Sequence, residues 1–358
     1  MKLSIRFASI LVIPALSAGV LGMAQGPTHK NNGAFLGHAY VTTASYISAH
    51  VATDASNFQF DYGTNKLFVN CGAIDSDGQL SGGASSVPQI VTFLNAIASW
   101  EAAHSGYKFQ VFAYVSGSLV STNSEFIDVS NSTVTTNVAE ESAKFTSTSV
   151  SGSYIAGANR TFDGVLIDFE PAGGTSAAAN TQFNNLKSMM DQIKTSIGSS
   201  KLTAFAAPQY SATSTDAYLW CPTFYYYMAL HVNYLIAMTY DSQNTTGSAY
   251  QSWIEQQTES ILQAVAGEYW SGGTHPAPTN GVKVLFGFPA YPNNPPNHYA
   301  SAENVENAAI GVTNGLANVD TNALANFGAG TIYLTTDGTG SDGYASFATD
   351  WNDLAEYW

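Results

Sequence analysis

The sequence is short of cations, of cysteine and of long apolar runs, and each shortage removes a class of function. Eleven Lys and Arg side chains stand against 26 Asp and Glu over 358 residues, a formal charge of −15. Binding nucleic acid takes a basic face that releases counterions from phosphates, and so few cations spread over this length cannot build one. Partners are expected to be neutral or cationic. Two cysteines, Cys71 and Cys221, are too few for a disulfide scaffold. They read as two buried thiols, with a bridge across the fold as the alternative. Charged residues make up 10% of the chain and apolar ones 45%, which excludes a disordered chain and provides for a large core. His29, His38, His50, His104, His231, His275 and His298 show no paired metal-ligand spacing, so no metal is expected. No G-x-S-x-G elbow occurs, which counts against an esterase.

One apolar run stands out. Lys2 and Arg6 precede it, it covers residues 7–21, and small residues follow around Gly22 and Ala24. Residues 1–24 are read as a secretory signal and 25–358 as a single domain. The run is shorter than the ~20 apolar residues of a membrane span and contains Pro14. With no second such run, the expectation is a secreted, extracellular protein with no membrane partner. Asn131, Asn159 and Asn244 each begin an Asn-X-Ser/Thr sequon, as glycosylation sites or as a coincidence in a chain rich in these residues.

Eight short β-branched and aromatic runs bounded by turn residues read as strands, at 34–42, 66–73, 108–116, 162–169, 201–207, 232–240, 282–289 and 331–335. Stretches of helical length and spacing lie between most of them, at 87–104, 138–148, 175–197, 249–269 and 300–317, and a last one at 344–357 closes the chain. The connections at 45–65 and 218–230 carry the weakest helical signal. This alternation predicts the α/β class and a single-domain (β/α)8 TIM barrel, with a doubly wound open sheet as the alternative.

The most informative strand runs Phe162-Asp163-Gly164-Val165-Leu166-Ile167-Asp168-Phe169-Glu170-Pro171. So apolar a segment has little structural use for two carboxylates near its end. Side chains alternate, so Leu166, Asp168 and Glu170 share one face and Val165, Ile167 and Phe169 the other. In a barrel the first set points inward and climbs to the C-terminal rim, where active sites of this architecture lie. Each carboxylate is close enough to raise the other's pKa. Capping of the following helix is the plainer alternative.

Asp163-Gly164-Val165-Leu166-Ile167-Asp168-Phe169-Glu170 resembles the DGxDxDxE signature of family 18 glycoside hydrolases, the chitinases and their relatives, with Leu166 in place of the middle Asp. Met238-Thr239-Tyr240-Asp241 resembles the Met-X-Tyr-Asp that ends the sixth strand there, 202–209 resembles the fifth strand of class III chitinases, and 287–291 the seventh. Lys66 to Leu80, with Asp77-Gly78 in its turn, fits the second. At the end of the eighth strand, where the family usually has Trp, stands Tyr333-Leu334-Thr335-Thr336, and 112–118 fits the third-strand Ser-X-Gly-Gly only loosely.

The resemblance implies an endo-acting hydrolase of β-1,4-linked N-acetylglucosamine, a monomer without cofactor. Glu170 would be the general acid and Asp168 its neighbouring anion, which holds the acetamido N–H. Tyr240 would donate to the acetamido oxygen, which attacks the anomeric carbon from within the substrate. Asp241, Gln209, Met238 and Tyr291 are implied substrate contacts, and Asp163 and Gly164 structural members of the motif. Trp220, Tyr225, Tyr226, Trp253, Tyr291 and Tyr299 are candidate stacking platforms or core. With Leu166 absent as a charge, Asp168 is expected to stay ionised to lower pH. An endo-N-acetylglucosaminidase acting on N-glycan cores and a non-catalytic sugar-binding barrel are the alternatives. Gly338-Thr339-Gly340-Ser341-Asp342-Gly343 matches GxGxxG, but no strand follows it and two aspartates would repel a pyrophosphate, so no nucleotide is expected.

Overall fold

The computed structural model describes residues 31–61, 63–171, 173, 176–213, 218–268, 275–291 and 294–333. Eight strands form a closed parallel barrel: β1 (Asn32–Leu36), β2 (Thr64–Ala73), β3 (Gln110–Ser118), β4 (Gly164–Glu170), β5 (Leu202–Ala207), β6 (Tyr234–Ala237), β7 (Lys283–Pro289) and β8 (Phe327–Tyr333). Each pairs with its successor in the chain, and β8 pairs with β1. Outside them run α1 (Ala39–Thr42), α2 (Ala44–Ser56), α3 (Ile90–Ala103), α4 (Ser132–Thr146), α5 (Ala177–Ile197), α6 (Pro222–Ala229), α7 (Gly247–Ala266) and α8 (Val305–Asn318). The open sheet is therefore excluded.

Several boundaries differ from the sequence reading, and side chains explain them. The first strand ends at Leu36 rather than continuing to residue 42. After Gly37 the chain turns into α1, whose Ala39, Tyr40 and Val41 are all buried. The Tyr40 hydroxyl donates to Asp54 on α2 at 2.5 Å, so a tertiary contact overrides the β-propensity of the Val-Thr-Thr run. Both weak connections do contain helix, α2 and the short α6, the latter with Pro222 at its first turn. Helix starts follow caps that periodicity cannot locate. Asn131 accepts from the Thr133 amide, Ser176 from Ala179, Thr246 from Ala249 and Asn304 from Asn307, contacts worth about 1 kcal/mol each. The sequon residues Asn131 and Asn159 are exposed, whereas Asn244 is half-buried. Cys71 and Cys221 are free thiols.

The core has two layers. Between strands and helices lies an aliphatic and aromatic shell that includes Val165, Ile167 and Phe169 of β4. Inside the barrel, Phe35, Phe68, Phe112, Tyr114, Leu166, Ala204, Ala206, Ile236 and Leu285 pack together. The rings of Phe35 and Phe68 are 5.2 Å apart and those of Phe68 and Phe112 5.1 Å apart. Bulky rings from β1 to β3 thus face the small Ala204 and Ala206 of β5, and the interior is filled rather than open. Gly164 permits this closeness: a Cβ there would lie 2.2 Å from the Leu202 carbonyl oxygen and 2.8 Å from the Phe112 ring. The segments 1–24, 338–343 and 344–357, and the residues that follow Tyr333, lie outside the described residues.

Candidate active site at the C-terminal rim

Strand β4 delivers the two carboxylates. Leu166 is wholly buried among the interior rings, and two residues further along on the same face stands Asp168, then Glu170 at the strand's end. In the register with β3, Tyr114 lies beside Leu166, Ser116 beside Asp168 and Ser118 beside Glu170. The Tyr114 hydroxyl reaches one step up the barrel and donates to Asp168 Oδ2 at 2.8 Å. Asp168 Oδ1 is buried and meets no donor of regular hydrogen-bond geometry. Burial lifts Glu170 to about 8, helped by the charge of Asp168, by a hydrogen bond shared with that carboxylate and by the charge of Asp241. Glu170 is thereby held as a neutral acid near pH 7.

The pKa of Asp168 is raised above the ordinary aspartate value, because burial outweighs the lowering effects of the hydrogen bonds from Tyr114 and Glu170. The loss of a like charge at Leu166 is a comparison with an aspartate at that position, and burial acts on Asp168 beside it.

The remaining residues come from the ends of β5, β6 and β7. Strand β6 stops at Ala237, earlier than the expected residue 240, so Met238, Thr239, Tyr240 and Asp241 lie on the rim beyond it. They stay fixed all the same. The Met238 amide donates to Ala207 O at 2.9 Å, the Thr239 hydroxyl to Gly287 O at 2.8 Å and the Tyr250 hydroxyl to Thr239 O at 2.7 Å. Met238 packs against the barrel interior. Gln209, two residues past β5, donates from Nε2 to Tyr240 O at 2.5 Å. The Tyr240 ring lies over Gly287, where a Cβ would come within 3.1 Å of it, and meets the Tyr291 ring edge-on at 6.3 Å. Asp241 has a left-handed backbone, φ 55°, which Asp tolerates better than most residues. Its Oδ1 accepts from the Tyr291 hydroxyl at 2.6 Å. The structure therefore gathers Asp168, Glu170, Gln209, Met238, Tyr240, Asp241 and Tyr291 on one end of the barrel.

Asp163 is at the opposite end of β4. Its Oδ2 pairs with Arg160 at 2.7 Å and accepts from the Val111 amide at 2.8 Å, and Arg160 also pairs with Glu101 of α3 at 2.7 Å. These contacts tie β3, β4 and α3 together far from the rim. Of the candidate platforms, Trp220 and Tyr225 are wholly buried in the outer core, and Tyr225 donates to Pro208 O. Tyr226 is also buried and donates to Pro276 O at 2.9 Å. Trp253 is stacked beside Tyr250 and packs on the same shell. These four are packing residues.

Three residues were not singled out from the sequence. Tyr114 sits on the inward face of β3, a position alternation marks, but its reach to Asp168 depends on an inter-strand register that no single sequence displays. His298 and Glu303 converge on Asp241 from the segment after β7, and among the described residues these three form the cluster of His and carboxylate groups close enough to share a cation.

No family model matches the chain, and no curated protein matches it in sequence. Solved structures do. A chitinase from Chromobacterium violaceum superposes with a TM-score of 0.52 at 14% identity, over 91% of this chain and 99% of that one. A Group IV chitinase from Ostrinia furnacalis gives 0.53 at 12% identity, over 90% and 98%. The spore cortex-lytic enzyme SleL of Bacillus cereus gives 0.56 at 9% identity, over 93% and 75%. Likeness at this level of identity concerns the backbone: the chain has the (β/α)8 fold seen in the family 18 chitinases.

Proposed function

We propose that this chain is a secreted, endo-acting hydrolase of β-1,4-linked N-acetylglucosamine polymers, working by substrate-assisted catalysis with retention. The observation that carries the reading is the pair on β4: a neutral acid at the rim, Glu170, beside the carboxylate of Asp168, whose Oδ1 meets no donor of regular hydrogen-bond geometry. That combination fits an acetamido sugar. Glu170 gives its proton to the glycosidic oxygen as the C1–O bond breaks. The carbonyl oxygen of the substrate's own acetamido group bonds to C1 from the opposite face. Asp168 Oδ1 accepts the acetamido N–H and stabilises the positive charge that grows there. Tyr240, braced by Gly287, Tyr291 and Gln209, donates to the acetamido oxygen and sets the line of attack. Water then opens the cyclic intermediate and Glu170 takes back a proton. The sugar is displaced twice, so its anomeric configuration is retained. The chitinases of Chromobacterium violaceum and Ostrinia furnacalis, which share this fold, agree with this substrate class.

The test is release of fluorophore from chitobiose and chitotriose glycosides by the wild type and by Glu170→Gln. Turnover should be lost with sugar binding kept, and a cyclic thiazoline analogue of the intermediate should inhibit wild type far more strongly than substrate competes. Inverted product, seen by NMR immediately after cleavage, contradicts the mechanism. Cleavage of N-glycans from a glycoprotein without release from chito-oligosaccharides would move the substrate to the glycan core.

A further inference from the structure

Behind Asp241, the segment between β7 and α8 buries the side chains of His298 and Glu303 completely. His298 Nε2 lies 3.1 Å from the backbone oxygen of Tyr291, a group that only accepts, so Nε2 carries hydrogen and donates. The other ring nitrogen, Nδ1, faces two carboxylates, 3.5 Å from Glu303 Oε2 and 3.9 Å from Asp241 Oδ1. It has no hydrogen-bond partner among the described residues. In a neutral ring that donates through Nε2, Nδ1 presents a lone pair. A lone pair aimed at two anions is repulsive unless a positive charge stands between them.

The surroundings are built to hold these three groups still. Ser242 and Asn244 donate backbone N–H groups to the two oxygens of Glu303 at 3.0 and 3.1 Å, and the Tyr291 hydroxyl donates to Asp241. Metal-ligating histidines commonly donate their second N–H to a backbone carbonyl, and ligating carboxylates are themselves hydrogen-bonded. Each of the three groups here has that outer support. Their candidate ligand atoms all lie within 4.8 Å of one another. Bonds of about 2.0–2.2 Å in a tetrahedral zinc site space the ligands roughly 3.3–3.6 Å apart. The His298–Glu303 distance already falls in that range, and the Asp241 side chain, 43% exposed, has room to close the rest.

We propose that His298 Nδ1, Glu303 and Asp241 bind a divalent transition-metal ion of the zinc type, which joins the segment after β6 to the segment after β7. One imidazole nitrogen among three ligands favours such an ion over calcium or magnesium, which prefer oxygen throughout. Two carboxylates and a neutral imidazole balance its charge. Solvent reaches the ion past Asp241 and supplies a fourth ligand. The site does not depend on the proposed hydrolysis, and it is read without substrate, so either idea can fail alone.

The experiment uses the full chain without a tag, stripped with EDTA and freed of chelator. Zn2+ is titrated calorimetrically, and Co2+ by visible absorption. One ion per chain is expected, with the d–d bands of low-coordinate Co2+ abolished by added Zn2+. The melting temperature should rise with Zn2+ and not with equal Ca2+. Asp241→Asn, the substitution with least risk to folding, should weaken Zn2+ binding about tenfold or more, and His298→Gln should remove the Co2+ spectrum. Less than one ion bound per chain, equal affinity in folded Asp241→Asn, or displacement of Zn2+ by equal Ca2+ would overturn the site and leave His298 an imidazolium paired with Glu303.

Discussion

A carboxyl group that titrates near pH 8 serves as an acid where an ordinary glutamate would already have lost its proton. With Glu170 raised to about 8, kcat/KM should stay level through neutrality and fall above that value. A descent beginning near pH 5 would show that another group is the acid. Glu170→Gln should lower turnover by at least ~10²–10⁴. The same shift bears on stability. Between the ordinary glutamate value of 4.5 and about 8 the unfolded chain has released this proton while the folded chain keeps it, so folding is progressively penalised as pH rises through that window. Glu170→Gln escapes the penalty. Its melting temperature relative to wild type should therefore climb from pH 4.5 to pH 8, and a constant difference would place the raised pKa elsewhere. Tyr114 offers a second test. Tyr114→Phe keeps the ring in the core but takes the donor from Asp168, a bond to a charged group worth roughly 1.5–3 kcal/mol. A loss of about 10- to 100-fold in kcat with little change in KM is expected from that range, and a wild-type rate would mean that Asp168 needs no such restraint.

Strand β4 shows how local pattern and environment divide the work. Alternation alone placed Leu166, Asp168 and Glu170 on one face, and the interior cluster bears this out for Leu166. What the pattern could not supply was the company. Leu166 is surrounded by Phe112, Tyr114 and Ala204, so Leu166→Asp would bury a carboxyl without a donor. A cost of roughly 2–5 kcal/mol at pH 7 follows. The new acid's folded pKa would be raised, so this loss should shrink as pH falls towards its unfolded value near ~4. Urea unfolding at both pH values measures it, and an undiminished stability at pH 7 would mean that Leu166 does not face the interior. The eight strands were legible because buried parallel strands are almost continuously apolar. Helix starts were less so, because Asn131 and Asn304 set them through single capping bonds that leave no period. The rim was legible where its residues follow strands, as with Glu170, Tyr240 and Tyr291. It was not legible at Tyr114, His298 and Glu303, whose roles arise from register and from loops meeting in space.

The whole molecule carries −15 formal charges, and at low salt these repel one another. Raising ionic strength from about 0.01 to 0.15 M shortens the screening length from about 30 to 8 Å. The melting temperature should rise over that interval. A fall would show that attractive pairs such as Arg160 with Glu101 and Asp163 outweigh the net repulsion. The ring-filled barrel interior has a consequence of another kind. Among the described residues, Phe35, Phe68, Phe112 and Leu166 pack the interior beneath Asp168, which leaves the two carboxylates facing the rim. On that packing, protons would reach the pair from the rim, where the proposed substrate would also bind. For a hydrolase of the proposed kind, the water that releases the product is also the source that resets Glu170, and the acid cannot be recharged behind an occupied cleft.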